Sequence, residues 1–75
     1  MDMTKTTNAR DLGQLVRQRR QAVGLTLRDA AGMAGVGVRF LSELERGKAT
    51  MQLGLALEVL QLFGLELEVR PRGEA

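Results

Sequence analysis

TLRDAAGMAGVGVRFLSELERG, residues 26–47, reads as two short helices joined by a tight turn. Thr26 suits an N-cap, because its hydroxyl can accept from a free backbone N–H of the first turn. Leu27, Ala30, Ala31 and Ala34 follow at i, i+3, i+4 and i+7, which is one helix face. Gly35 is free to take the left-handed conformation that ends a helix. Beyond the turn, Val36, Phe40 or Leu41, and Leu44 make a second apolar face, and Gly47 closes it. The first of these helices carries alanines, which let two helices cross closely.

Two short helices around a glycine-containing turn are the pattern of a helix-turn-helix, whose second helix enters the major groove of DNA. Between Leu12 and Leu62 the segment resembles the Xre/Cro family of phage-repressor-like DNA-binding domains. The residues that carry the resemblance are Arg20, Gly24-Leu25-Thr26, Ala34-Gly35-Val36 and Leu44-Glu45-Arg46-Gly47-Lys48. With its tail Leu65–Val69, the whole chain is similar to HipB-like antitoxins, a subfamily of these repressors. The resemblance implies a phage-repressor-like bundle of four or five short helices. It also implies an ion pair between Arg20 and Glu45 that locks the first helix to the recognition helix, and base-reading side chains at 38, 39 and 43.

The recognition helix is expected from about Gly37 to Arg46, with Leu41 and Leu44 inward and Val38, Arg39, Ser42 and Glu43 outward. Arg39 can bind guanine O6 and N7 with both arms of its guanidinium. Val38 suits a thymine methyl. Glu43 either accepts from cytosine N4, orients Arg39 one turn away, or is a solvated charge. Phe40 is expected to pack on its neighbours. Arg46, Lys48 and Thr50 lie in the following loop, placed to grip the sugar-phosphate backbone, and Thr50 is a second N-cap candidate. Thr26 and the helix start it caps suit a phosphate. The family often has Gln where this chain has Leu27; Arg28 is the substitute contact or else a surface arginine.

The preceding helix starts at Asn8 or Arg10-Asp11 and ends at Gly24, with Leu12, Leu15, Val16 and Val23 on its buried side. Arg17 and Arg19 are expected in solvent. Residues 1–9 are polar and aperiodic, and are expected to form a flexible arm. The DNA-binding domain is taken as residues 10–64.

MQLGLALEVLQLF, residues 51–63, is apolar almost all round. Leu53, Ala56, Leu57 and Leu60 make one stripe; Leu55, Val59 and Leu62 make another, assigned to a partner chain because a helix apolar all round must be buried all round. After Gly64, Leu65-Glu66-Leu67-Glu68-Val69-Arg70 alternates strictly, the pattern of a β-strand, and Pro71 ends it. A lone strand leaves an unpaired edge, so residues 65–71 are expected to pair with the same strand of a second copy, leaving 72–75 as a tail. If Glu68 lies on the two-fold axis, Glu66 faces Arg70 and Leu67 faces Val69; with Leu67 on the axis, Glu66 faces Glu68.

At 75 residues this is one small domain, which buries only about 60–65% of its unfolded surface. It has no Cys and no His, so neither a disulfide nor a zinc site staples it. The net charge of +2 is unevenly spread: residues 1–48 hold nine basic and five acidic residues, residues 49–75 two basic and four acidic. The basic part contains the proposed DNA contact surface. Enzymatic chemistry finds no His base, no thiolate and no phosphate-cradling glycine loop, and no cofactor is expected. Neither a transmembrane run nor a signal peptide is visible, so the cytoplasm, at the nucleoid, is the expected location.

The expected function is that of a homodimeric, sequence-specific repressor on a palindromic operator of duplex DNA. The HipB resemblance implies an autoregulating antitoxin partnered by a HipA-like kinase toxin. The alternative is a protein-interaction module that holds a toxin or other partner without specific DNA binding.

Overall fold

The computed structural model describes residue 6, residues 8–71 and residue 73. Most of the expected flexible arm, and residues 72, 74 and 75 of the tail, therefore lie outside the described residues.

Local chemistry starts and stops the helices largely where the sequence predicts. Asn8 is extended and its Oδ1 accepts from the Asp11 N–H at 2.8 Å, opening α1 (Ala9–Ala22). Val23 is not inward as expected but 60% exposed. It is the C-cap of α1, and Gly24, at φ 76°, turns the chain away before another buried turn forms. Thr26 Oγ1 accepts from the Asp29 N–H at 3.1 Å and opens α2 (Leu27–Ala34). Gly35 ends α2 in the left-handed region, and the Val36 N–H donates to the Ala31 carbonyl at 3.0 Å. Gly37 caps α3 (Val38–Glu45) without a side chain. The last helix, α4 (Leu53–Leu62), has Gln52 at its N-cap. Thr50 lies two residues upstream of that position and does not cap α4.

α1 packs on α3, and α2 packs on both α3 and α4. Their shared core holds Val16, Ala30, Ala31, Leu41, Leu44, Ala56, Val59, Leu60 and Phe63. Ala30 and Ala31 are essentially unexposed and keep α2 thin enough to touch two helices. Val16, Leu41, Leu44 and Val59 are the large, fully buried side chains, each contributing about 1.5–3 kcal/mol. α1 meets the end of α3 backbone to backbone. A Cβ at Gly13 would collide with the Leu44 carbonyl oxygen and stand 2.7 Å from that of Glu45. A Cβ at Gly47 would stand 2.6 Å from the Arg10 Cα.

α4 is rotated relative to expectation. Ala56, Val59, Leu60 and Phe63 form the buried face, while Leu53 and Leu57 are 60% and 42% exposed. Of the stripe assigned to a partner, Val59 is fully buried within a single chain, Leu62 packs on the core and Leu55 is half-buried. Val59 is therefore withdrawn as a dimer contact. Beyond α4, Gly64 takes φ 67° and the Leu65 N–H donates to the Leu60 carbonyl at 2.8 Å. Leu65 packs on the core, and residues 66–70 have no regular secondary structure. Among the described residues there is no β-strand, so the expected strand is not formed within one chain. No described helix is long and apolar enough to cross a membrane.

Candidate nucleic-acid interface

α3 turns one side to the core and the other to solvent. Leu41 and Leu44 have no exposure, whereas Val38 is exposed and the Arg39 side chain is 92% exposed. Ser42 and Glu43 are half-buried on the shoulder of the same surface. This places the four predicted base-reading residues together on one helix with its first turn accessible. Phe40 packs against the core, as expected.

What holds α3 in this attitude is the Arg20–Glu45 pair. Arg20 Nε donates to Glu45 Oε2 at 2.7 Å and Nη2 to Oε1 at 3.1 Å, a two-pronged contact between α1 and α3. Arg20 Nη1 also donates to the Leu25 carbonyl at 2.8 Å, which ties in the turn before α2. The two side chains are 12% and 6% exposed, so little water competes. The hydrogen bond to Glu45 raises the Arg20 guanidinium above its ordinary value; burial opposes this, and the Glu45 charge adds to it.

The predicted phosphate contacts surround this helix in sequence. Arg46 is the exposed C-cap of α3, and Lys48 and Thr50 are exposed in the loop after it. Arg28 is exposed on the first turn of α2. Thr26 Oγ1 accepts from the Asp29 N–H with one lone pair, and its hydroxyl hydrogen is not used in that bond.

Two contacts escape sequence reasoning, that of Lys48 with Glu43 and that of Arg19 with Phe63. Glu43 accepts from Lys48 Nζ through both carboxylate oxygens at 3.4 Å and lies 3.7 Å from Arg39 Nε. The Arg39 contact has visible i, i+4 spacing; the Lys48 contact depends on how the chain turns at Gly47. Arg19 is exposed overall, yet its Nη2 donates to the Phe63 carbonyl at 2.9 Å, tying α1 to the end of α4. A cation there also favours the negative end of the helix dipole. Nothing in the sequence pairs residues 19 and 63.

The helix-turn-helix domain family matches residues 11–72, most of the chain. The chain belongs to the Xre-like helix-turn-helix DNA-binding proteins. It is 45% identical over 64 residues to an uncharacterized HTH-type transcriptional regulator, y4mF, of Sinorhizobium fredii, covering 85% of this chain and 84% of that one. The fold is also that of HipB in a HipB–O4 20-mer complex, with TM-score 0.82, 20% identity, and 93% and 99% of the two chains covered. A HipA–HipB–O2–O3 complex matches with the same TM-score, identity and coverage. This Xre-like chain is accordingly a DNA-binding transcriptional regulator, and Arg20 and Glu45 hold α3, the helix after the turn at Gly35, against α1.

Proposed function

We propose that this protein is a homodimeric repressor that reads an inverted-repeat operator, and that it is the autoregulating antitoxin of a HipA-like kinase toxin. The observation that supports the reading most is Arg39, 92% exposed at the start of a helix whose Leu41 and Leu44 are wholly buried. A fixed helix with an exposed guanidinium suits bidentate recognition of guanine. Val38 lies against a thymine methyl, and Ser42 and Glu43 border the same base steps. Thr26, Arg28, Arg46, Lys48 and Thr50 grip phosphates, giving register and a salt-dependent share of the affinity.

The dimer forms through the end of α4 and the segment after it. Leu53, Leu57, Leu67 and Val69 are exposed apolar side chains. An open groove of about 450 Å³ runs between α4 and the tail, lined by Leu57, Leu60, Leu65 and Leu67 with Glu58 and Glu66 among its polar residues. Leu55 and Leu62, also proposed as partner contacts, are half-buried in one chain. Residues 65–70 pair with their two-fold copies about Glu68, which sets Glu66 opposite the partner's Arg70 and Leu67 opposite the partner's Val69. Arg70 also pairs with Glu68 of its own chain, which softens the meeting of two Glu68 carboxylates on the axis. A dimer with Leu67 opposite Leu67 contradicts this register.

Two recognition helices in successive major grooves require half-sites about one turn, roughly 34 Å, apart. Dimethyl-sulfate footprinting of the region upstream of the gene tests this directly. The expected pattern is two protected guanine clusters related by a dyad and about ten base pairs apart. Uniform, unprotected guanines together with capture of a kinase-like partner would favour the protein-interaction module instead.

A further inference from the structure

Glu43 is an acid on the surface that is to meet a polyanion, and it engages two cations of that surface at once. Lys48 Nζ donates to both of its oxygens at 3.4 Å, and Arg39 Nε stands 3.7 Å away. The arrangement is anchored from below, because the Lys48 backbone N–H donates to the Glu43 carbonyl at 3.1 Å. It is also graded in depth: the Glu43 side chain is 23% exposed, against 46% for Lys48 and 92% for Arg39. An approaching duplex therefore meets the cations first and the carboxylate behind them.

We propose that Glu43 is a charge mask: it holds Arg39 and Lys48 back from phosphate, and so keeps the protein off DNA that offers no base contact. The inference rests on the DNA-reading role of α3 proposed above. Exposed ion pairs are weak, so phosphate can take either cation from Glu43, but at the cost of that pair. On random sequence the protein gains only phosphate contacts, and those of Arg39 and Lys48 require breaking an ion pair to Glu43. On the operator, Arg39 bonds a neutral base rather than a second anion, so its two Nη groups can fork to guanine while Nε stays beside Glu43 and that pair is kept. The mask thus lowers affinity on random DNA more than affinity on the operator.

The test measures Glu43→Gln against wild type on two duplexes, one scrambled and one from upstream of the gene, over a range of salt. On the scrambled duplex, E43Q is expected to bind about 3- to 10-fold tighter near 0.1 M salt. Its salt dependence should steepen by about one to two, as one or two cations are released to phosphate. The melting temperature should stay within about 4 °C, as for a surface substitution. The gain should vanish in an Arg39→Gln/Lys48→Gln background, where nothing remains to mask. The same gain in that background would show that Glu43 only repels DNA by its own charge, and would overturn the proposal. No gain on the scrambled duplex, or an equal gain on both duplexes, would overturn it as well. Failure of the wild type to prefer the upstream duplex would count against the operator reading, while the scrambled arm still decides the mask.

Discussion

At the scale of single residues, the side chains proposed to read DNA are distinct from those that hold α3 in place. Under the proposed role of Arg39 in base reading, Arg39→Ala should lower operator affinity by about 1–3 kcal/mol and relax preference at one base pair, as scored on operators substituted base by base. Equal weakening on every sequence would assign Arg39 to phosphate instead. Arg20 and Glu45 hold. With both side chains nearly out of solvent, Arg20→Met strands the Glu45 carboxylate, and urea unfolding should show a loss of about 3 kcal/mol or more. Glu45→Gln keeps the shape but loses the charge, and should cost less. The Arg20–Glu45 pair was legible because two motif residues, 25 positions apart, carry it. The Arg19 bond to Phe63 was not, because a backbone carbonyl has no sequence signature and only the tertiary fold brings it within reach.

At the scale of elements, caps and glycines carried the legible information. Asn8, Thr26 and Gly35 each do locally what their chemistry allows, and α1 to α3 begin and end beside them. α4 was harder for a physical reason. With apolar residues on every side, it has no broad polar face to fix its rotation, so the division of leucines into inner and outer stripes was not determined by periodicity. The neighbours decide instead, choosing Ala56 and Val59 for the inside and leaving Leu53 and Leu57 out. Gly13 is a second element-scale lesson. A glycine inside a helix costs about 0.5–1 kcal/mol relative to alanine, and that unexplained cost was itself the available signal of a close crossing. Gly13→Ala should destabilise by about 3 kcal/mol or more, because the obstruction is the backbone of α3. Gly32→Ala, inside α2 with open space around it, should stabilise by about 0.5–1 kcal/mol. Thermal melting of the two variants side by side checks both signs.

At the scale of the whole molecule, a small helical domain leaves one side of α3 in solvent and apolar side chains exposed on its last helix and the segment after it. The proposed dimer assigns a job to those apolar residues, which touch no DNA. A chain ending at Gly64 should fail to dimerise in sedimentation and should bind its operator at least about tenfold more weakly, since it engages one half-site rather than two. Unchanged operator binding by that chain would uncouple dimerisation from recognition. The segment after α4 is where sequence and single-chain structure part. Its alternation of Leu and Glu is a strand pattern, but a strand needs a hydrogen-bonding neighbour, and one copy supplies none.

The function proposed for this molecule depends above all on its telling one duplex from another. Fluorescence anisotropy of the full chain measures this, with labelled DNA from immediately upstream of its gene set against a scrambled duplex at two salt concentrations. Tight binding to the upstream duplex is expected, with at least about a thousandfold preference over the scrambled one and weakening of both as salt rises. Equal, weak binding to the two duplexes at both salt concentrations would contradict it.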